Sequence, residues 1–405
     1  MKHIYIVDEH QSSKQNGVGT YIRQLLKCFE DSENDVNLLS FNADEKEFGI
    51  ERQSFYLEYH IPPCGINGFL NNGKLVLSLL RLYIDDSKDN IFFVNHFPCD
   101  KFLADIKLIF PLSRIIFVIH DQGWCAPLLG NVEMFRKVLK ATYYPHKNKQ
   151  EWQEIRQITS RERRMYYLAD DVIALAHPTW DLLLSVYKVP ISKIHLIPNG
   201  KLLASTMMGS KEKNAIRARL GIGKDEFVIL YAGRTVESKG IKPLLAAFEE
   251  LYKENPNVRL VVAGQVFHLN DFAKITTSSC AHVTYTGLIS CELLSEWYQI
   301  ADVGILPSYT EQSSYFGIEL LDQGCIIIAT DGHNMLDMFD TSVSLIAHID
   351  QEKPHFQDEL LDALTKAISM SPKERESLRT AARKRAKEKY SLSVMRKKYL
   401  ELIKK

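Results

Sequence analysis

Residues 307–324 read PSYTEQSSYFGIELLDQG, with Glu311 and Glu319 on either side of small, hydroxyl-bearing and aromatic residues. Carboxylates prefer water unless paired, so in a concave site their natural partners are hydroxyl groups, as on a ribose or a sugar. Ser313 and Ser314 can cap the helix that follows, and the amides of 314–317 can face an anion. In YAGRTVESKG, Arg234 and Lys239 follow a strand end and precede a helix start. A guanidinium for bidentate contacts and an ammonium as a point charge together suit a diphosphate. In QNGVGTYIRQLL, Gly17 and Gly19 free the backbone so that consecutive N–H groups can point at an anion. Ile22 stands at the third glycine position, which excludes the dinucleotide fingerprint. FVIHDQGW brings His120 to a strand end, with His96 in VNHFP competing for the same part. Taken singly, each group has a plainer reading: surface glutamates, exposed cations, a tight turn, a structural histidine.

The elements that must position these residues are short apolar runs alternating with amphipathic segments. Strand patterns fall at 3–7, 36–41, 91–96, 114–120, 171–176 and 193–198, then at 227–233, 258–264, 282–287, 302–307 and 325–330. Helical patterns lie between them, among others at 19–29, 151–168, 240–253, 291–300 and 357–370. Buried strands alternating with helices predict parallel sheets covered on both faces. Residues 199–215 lack either periodicity and read as a linker. The prediction is therefore α/β, with two doubly wound domains at 1–200 and 201–390. The break at YSLS predicts a last helix, 391–405, that crosses back onto the first domain. Ligands of such sheets sit beyond the carboxyl ends of the strands, here in a cleft between two facing sheets.

A chain of 405 residues exceeds one ordinary core, which agrees with two domains. Lys plus Arg equals Asp plus Glu at 50 each, so no global field favours nucleic acid or an anionic membrane. The seven cysteines are scattered without a C-x-x-C pair, which argues against a disulfide framework or a zinc site and for a reducing compartment. No apolar run reaches the roughly 18 residues of a membrane span. The expected location is cytoplasmic, at most peripheral to the inner face of a membrane. The local exception to neutrality is 134–167, basic and aromatic. It reads as a solvated face, or as an acceptor-docking or membrane-surface patch through Tyr143, Tyr144 and Trp152.

In order along the chain, NGVGTY, VIHD, IPNG, GRTVESKG, LVVAG, VTYTGLIS, LLSEWYQIADVGILPS and EQSSYFGIE resemble the blocks of the retaining GT-B glycosyltransferases of family 4. The resemblance covers nearly the whole chain and is best from 190 to 330. It implies that Gly17 and Gly19 meet a donor diphosphate, and that Arg234 and Lys239 hold it and stabilise it as it leaves. Glu319 would hydrogen-bond the nucleotide ribose, Glu311 would contact the donor sugar, and His120 would lie near the reacting centre. Ser313, Ser314 and Tyr315 would complete the donor loop. The chain departs from the pattern at Ser314, where a glycine is common, at Ile326 in place of a proline, and in ATDGHNML, which keeps one glycine of a usual pair. Asp322 is a further acid without an assigned part.

The implied reaction moves a sugar from a UDP- or GDP-type donor to an acceptor hydroxyl with retained configuration. No D-x-D-type carboxylate pair stands at a strand end, so neither metal nor other cofactor is expected. The acceptor class, whether glycan, lipid, peptide or small molecule, is not legible. Two rivals share the donor residues: a nucleotide-sugar epimerase or phosphorylase, and an inactive nucleotide-sugar-binding subunit.

Overall fold

The computed structural model describes residues 1–10, 16–63, 73–95, 99–142, 149–204, 208–266, 269–349 and 355–405. The chain divides into two units. One comprises Met1–Pro127, Glu133–Leu202 and Leu392–Lys405; the other comprises Leu128–Val132 and Leu203–Ser391.

The first unit is built on strands β1 (His3–Glu9), β2 (Asp35–Phe41), β3 (Gly49–Arg52), β4 (Leu57–Ile61), β5 (Asn90–Val94), β6 (Arg114–Val118), β7 (Asp171–Ala174) and β8 (Ile194–Leu196). Their order in the sheet is β3-β4-β2-β1-β5-β6-β7-β8. Every pairing is parallel except β3 with β4. β5 and β7 are buried along their whole length, as parallel strands covered on both faces must be. The β3–β4 hairpin edge has no counterpart in the sequence reading. β3 carries Glu51 and Arg52 and is mostly exposed, so it lacks the apolar run that marks an inner strand.

The helix Leu392–Ile403 belongs to this unit and packs on the helix Gly17–Phe29, as the break at YSLS predicts. Leu392 N–H donates to the Lys201 carbonyl at 2.8 Å. Tyr399 enters an aromatic group with Phe29 and Phe93, at ring separations of 6.5 and 5.8 Å.

The second unit holds β9 (Phe227–Ala232), β10 (Val258–Ala263), β11 (Val283–Gly287), β12 (Val303–Leu306), β13 (Ile326–Thr330) and β14 (Leu345–Ala347). Their order is β11-β10-β9-β12-β13-β14, parallel throughout. Its core joins Ile229, Leu244, Phe248, Leu260, Val262, Ile305, Ile328 and Leu364. Part of the expected linker is instead the helix Ser210–Arg219. That helix buries none of its residues, so no apolar periodicity announces it. Arg217, which donates to the Ile300 carbonyl at 3.1 Å, helps to hold it in place.

Within the first unit, the segment leaving β6 is pinned by a buried acid, Glu162, on the helix Lys149–Leu168. Its Oε1 accepts the Gly123 N–H at 2.8 Å, and the Tyr187 hydroxyl donates to Oε2. Burial pushes the Glu162 carboxyl up to about 7, against those two hydrogen bonds. Between the ordinary 4.5 and about 7, the native protein keeps this proton while the unfolded chain has lost it. Stability therefore falls as pH rises through that window, by on the order of 3 kcal/mol. Glu162→Gln removes the titration. The difference in melting temperature, variant minus wild type, is expected to be more positive at pH 8 than at pH 5, measured by calorimetry on both proteins.

Candidate active site

In the second sheet β9 lies between β10 and β12, so the strand order reverses there, the place where doubly wound sheets bind ligands. The loops leaving β9 and β12 meet at close range. Gly240 has φ +65°, and a Cβ on it would lie 1.9 Å from the Pro307 carbonyl oxygen. Only a residue without a side chain allows that approach. Tyr309 N–H adds a bond to the Ser238 carbonyl at 3.0 Å.

This contact sets Lys239 beside the loop of Glu311. Lys239 Nζ lies 2.7 Å from Glu311 Oε1 and 3.4 Å from the Thr310 carbonyl oxygen. The Ser308 hydroxyl donates to the same Glu311 oxygen at 2.9 Å. Both charged side chains are about four-fifths buried, at 19% and 17% exposure, so water screens the pair far less than a surface pair. Arg234 stands close by through Tyr231, whose hydroxyl donates to the Arg234 carbonyl at 2.6 Å. Burial pushes the Tyr231 phenol well up; the Glu311 carboxylate pushes the same way and the Arg234 guanidinium opposes it. Both charges thus act on one ring.

The rest of the quoted stretch forms a cap and a helix. Ser314 is the N-cap of the helix Tyr315–Gln323, its Oγ accepting the Gly317 N–H at 3.2 Å. Of the amides expected to face an anion, Gly317's is therefore taken by the cap, and that of Ser314 points at Met338 Sδ, 3.3 Å away. Ser313 and Tyr315 are buried on either side of the cap. Glu319 lies one turn into the helix and accepts a hydrogen bond from the buried Tyr298 hydroxyl. Burial, then the Glu319 charge, holds that phenol well above its ordinary range. In this structure both acids accept from hydroxyls of the chain itself, Glu311 from Ser308 and Glu319 from Tyr298. Asp322 accepts the Ala204 N–H at 2.9 Å, a structural contact.

Two features here have no short-range sequence signal. His333, in the loop after β13, accepts the Glu311 N–H through its carbonyl at 3.2 Å and donates its own N–H to Tyr309 O at 3.0 Å. Burial pushes its imidazole down to about 4, against the nearby Asp337, so it is neutral at physiological pH. Gly130, from the short Leu128–Val132 stretch, has φ +71°; a Cβ there would meet Tyr309 O at 2.7 Å. Neighbours far apart in the chain shape this loop, and no local motif encodes them.

In the first unit, Gly17 and Gly19 are the first and third residues of the helix Gly17–Phe29, whose N-cap is Asn16. Asn16 Oδ1 accepts the Val18 N–H at 2.8 Å, so the amide between the two glycines is already engaged. His120 follows the end of β6, with its ring centroid 4.4 Å from that of Tyr21 at 64°. His96, Tyr143 and Tyr144 lie outside the described residues. Much of the basic segment is committed internally. Arg156 donates to Val138 O at 2.9 and 2.7 Å, at the end of the helix Val132–Lys140, and Arg164 pairs with Asp100 at 2.9 Å. The apolar face of that helix packs inward, with Phe135 stacked on Trp124 at 4.3 Å. Arg136, Lys137 and Lys140 remain exposed. Among the described residues, no helix is long and apolar enough to cross a membrane, and no three His, Cys, Asp or Glu side chains group as metal ligands.

Two family models match this chain in succession: Glycosyltransferase Family 4 over 15–200 and Glycosyl transferases group 1 over 212–385. A Salmonella typhimurium lipopolysaccharide 1,2-N-acetylglucosaminetransferase is 26% identical over 230 residues, 54% of this chain and 58% of that protein. The matched stretches span about half the length of the curated relatives. Among solved structures, sucrose-phosphate synthase from Thermosynechococcus elongatus superposes with a TM-score of 0.78 at 17% identity, over 100% of this chain and 98% of that one. Anabaena HepE, solved with UDP and glucose, does so with a TM-score of 0.71 at 13% identity over the whole of both chains.

If the Gly240 contact sets the loop geometry, Gly240→Ala must strain the backbone or part the loops, at a cost of roughly 1–3 kcal/mol. The expected result is a melting temperature at least about 2 °C lower, measured by calorimetry.

Proposed function

We propose, from the premise that this chain belongs to the family 4 glycosyltransferases and has their GT-B fold, that it moves a sugar from a nucleoside-diphosphate sugar to an acceptor hydroxyl, with retention and without a metal. The observation that carries the reading is the Lys239–Glu311–Ser308 group at the point where the second sheet reverses. HepE, which shares the fold, binds UDP and glucose, in keeping with a nucleotide-sugar donor here.

In this reading the anomeric carbon–oxygen bond to the diphosphate breaks, and a bond from the anomeric carbon to the acceptor oxygen forms on the same face. The acceptor proton passes to a departing phosphate oxygen. Charge builds on the leaving diphosphate, and preorganised cations stabilise it most where water is excluded. Lys239 has three N–H donors. Glu311 and the Thr310 carbonyl take two of them, which directs the third at a phosphate oxygen. Arg234 supplies the second cation. Glu311, held by Lys239 and Ser308, orients a sugar hydroxyl, and Glu319 reads the ribose. Gly17 and Gly19 approach the diphosphate, and His120 serves the reacting centre. Ser313, Ser314 and Tyr315 shape the donor loop. A glycolipid is the first acceptor class to assay, given the lipopolysaccharide named for the Salmonella relative.

With UDP- and GDP-sugars and a glycolipid acceptor panel, turnover is expected to persist in excess chelator, with the product anomer matching that of the donor by NMR. Lys239→Ala should lower turnover at least about a hundredfold, as loss of a charge-stabilising donor does. Near-normal turnover of that variant would sink the assignment. So would an epimerised donor formed without acceptor, or a product whose formation consumes inorganic phosphate.

A further inference from the structure

We infer that Tyr21, anchored by Tyr399 of the C-terminal helix, is a positioning residue for His120. This inference rests on the part given to His120 in the proposed function. Tyr21 and Tyr399 are both fully buried, and their hydroxyls lie 2.7 Å apart. A buried phenol must find a hydrogen-bond partner, and here each supplies the other's. The bond spans 378 positions of sequence, from the helix Gly17–Phe29 to the helix Leu392–Ile403.

What the bond fixes is a ring that touches His120, 4.4 Å between centroids and steeply inclined. An imidazole that serves a reacting centre must hold one orientation, since small misplacements cost large factors in rate. His120 leaves the sheet just after β6, where the backbone is still tied to the neighbouring strand by Ile119 N–H to Ile173 O at 3.0 Å. Three residues on, Gly123 is held by Glu162. The backbone on both sides is therefore fixed, and the imidazole orientation is set by what its ring packs against, Tyr21 among its neighbours. Tyr21 restricts it, and Tyr399 keeps Tyr21 from turning away. The C-terminal helix thereby acts on the candidate reacting centre through the Tyr21–Tyr399 hydrogen bond.

The test compares the full-length wild type with Tyr21→Phe, Tyr21→Leu, Tyr399→Phe and His120→Ala. Tyr21→Phe keeps the ring and loses the bond; Tyr21→Leu loses both. The expected result is kcat lowered by about tenfold in Tyr21→Leu and less in the two phenylalanine variants, with the donor KM within about twofold. A second readout needs no activity. The His120 ring protons, assigned by NMR with His120→Ala, should lose the ring-current displacement in Tyr21→Leu and show broadened lines in Tyr399→Phe. If Tyr21→Leu does not fold, the two phenylalanine variants carry both readouts. His120 resonances unchanged in every folded variant overturn the inference. So does an unchanged kcat in all of them while His120→Ala is inactive. Should His120→Ala turn over normally, the part given to His120 fails, and the resonances alone decide whether Tyr21 positions it.

Discussion

A carbonyl oxygen at Pro307 occupies the place where a side chain at residue 240 would begin. That exclusion lets the start of the helix Ile241–Glu254, at the end of the loop leaving β9, lie against the end of β12. Lys239 precedes the glycine and Glu311 follows the proline by four residues, so the close approach converts two distant charges into a pair 2.7 Å apart. Without it an ammonium and a carboxylate on neighbouring loops would each be solvated, and their attraction would be largely screened. With it they are mostly buried, joined by Ser308 and backed by the neutral His333 loop.

The same logic recurs at Glu319 and at Glu162. Each acid meets a tyrosine hydroxyl from another element, Tyr298 of the helix Cys291–Ile300 in one case and Tyr187, just past the helix His177–Ser185, in the other. The outcomes differ because the surroundings do. Glu162 is buried deeply enough that its carboxyl is pushed up to about 7. Glu319 keeps part of its surface in water. A carboxylate held by one hydroxyl still has lone pairs for a second partner.

Much of the fold was legible because parallel strands buried on both faces leave continuous apolar runs. β5, β6, β9 and β13 all announce themselves in this way. The misses have a common cause. β3 at the sheet edge and the helix Ser210–Arg219 bury almost nothing, and burial is what writes periodicity into a sequence. At the site, residue type and placement at strand ends single out Lys239, Glu311 and Glu319 as candidates. Tyr298 beside Glu319, His333 beside Glu311 and Gly130 beside Tyr309 carry no such mark, because each comes from a distant part of the chain.

The sequence by itself determined the α/β alternation, the apolar strands, the glycine at 240 and the charged and hydroxyl residues that cluster at strand ends. These are local properties: side-chain size, charge and the period of burial. Only the tertiary structure decided that Glu311 takes its partner from Lys239, that Glu319 takes its from Tyr298, and that Tyr399 reaches Tyr21 from the far end of the chain. Such choices are made by packing, which brings together groups whose separation in sequence carries no information about their distance in space.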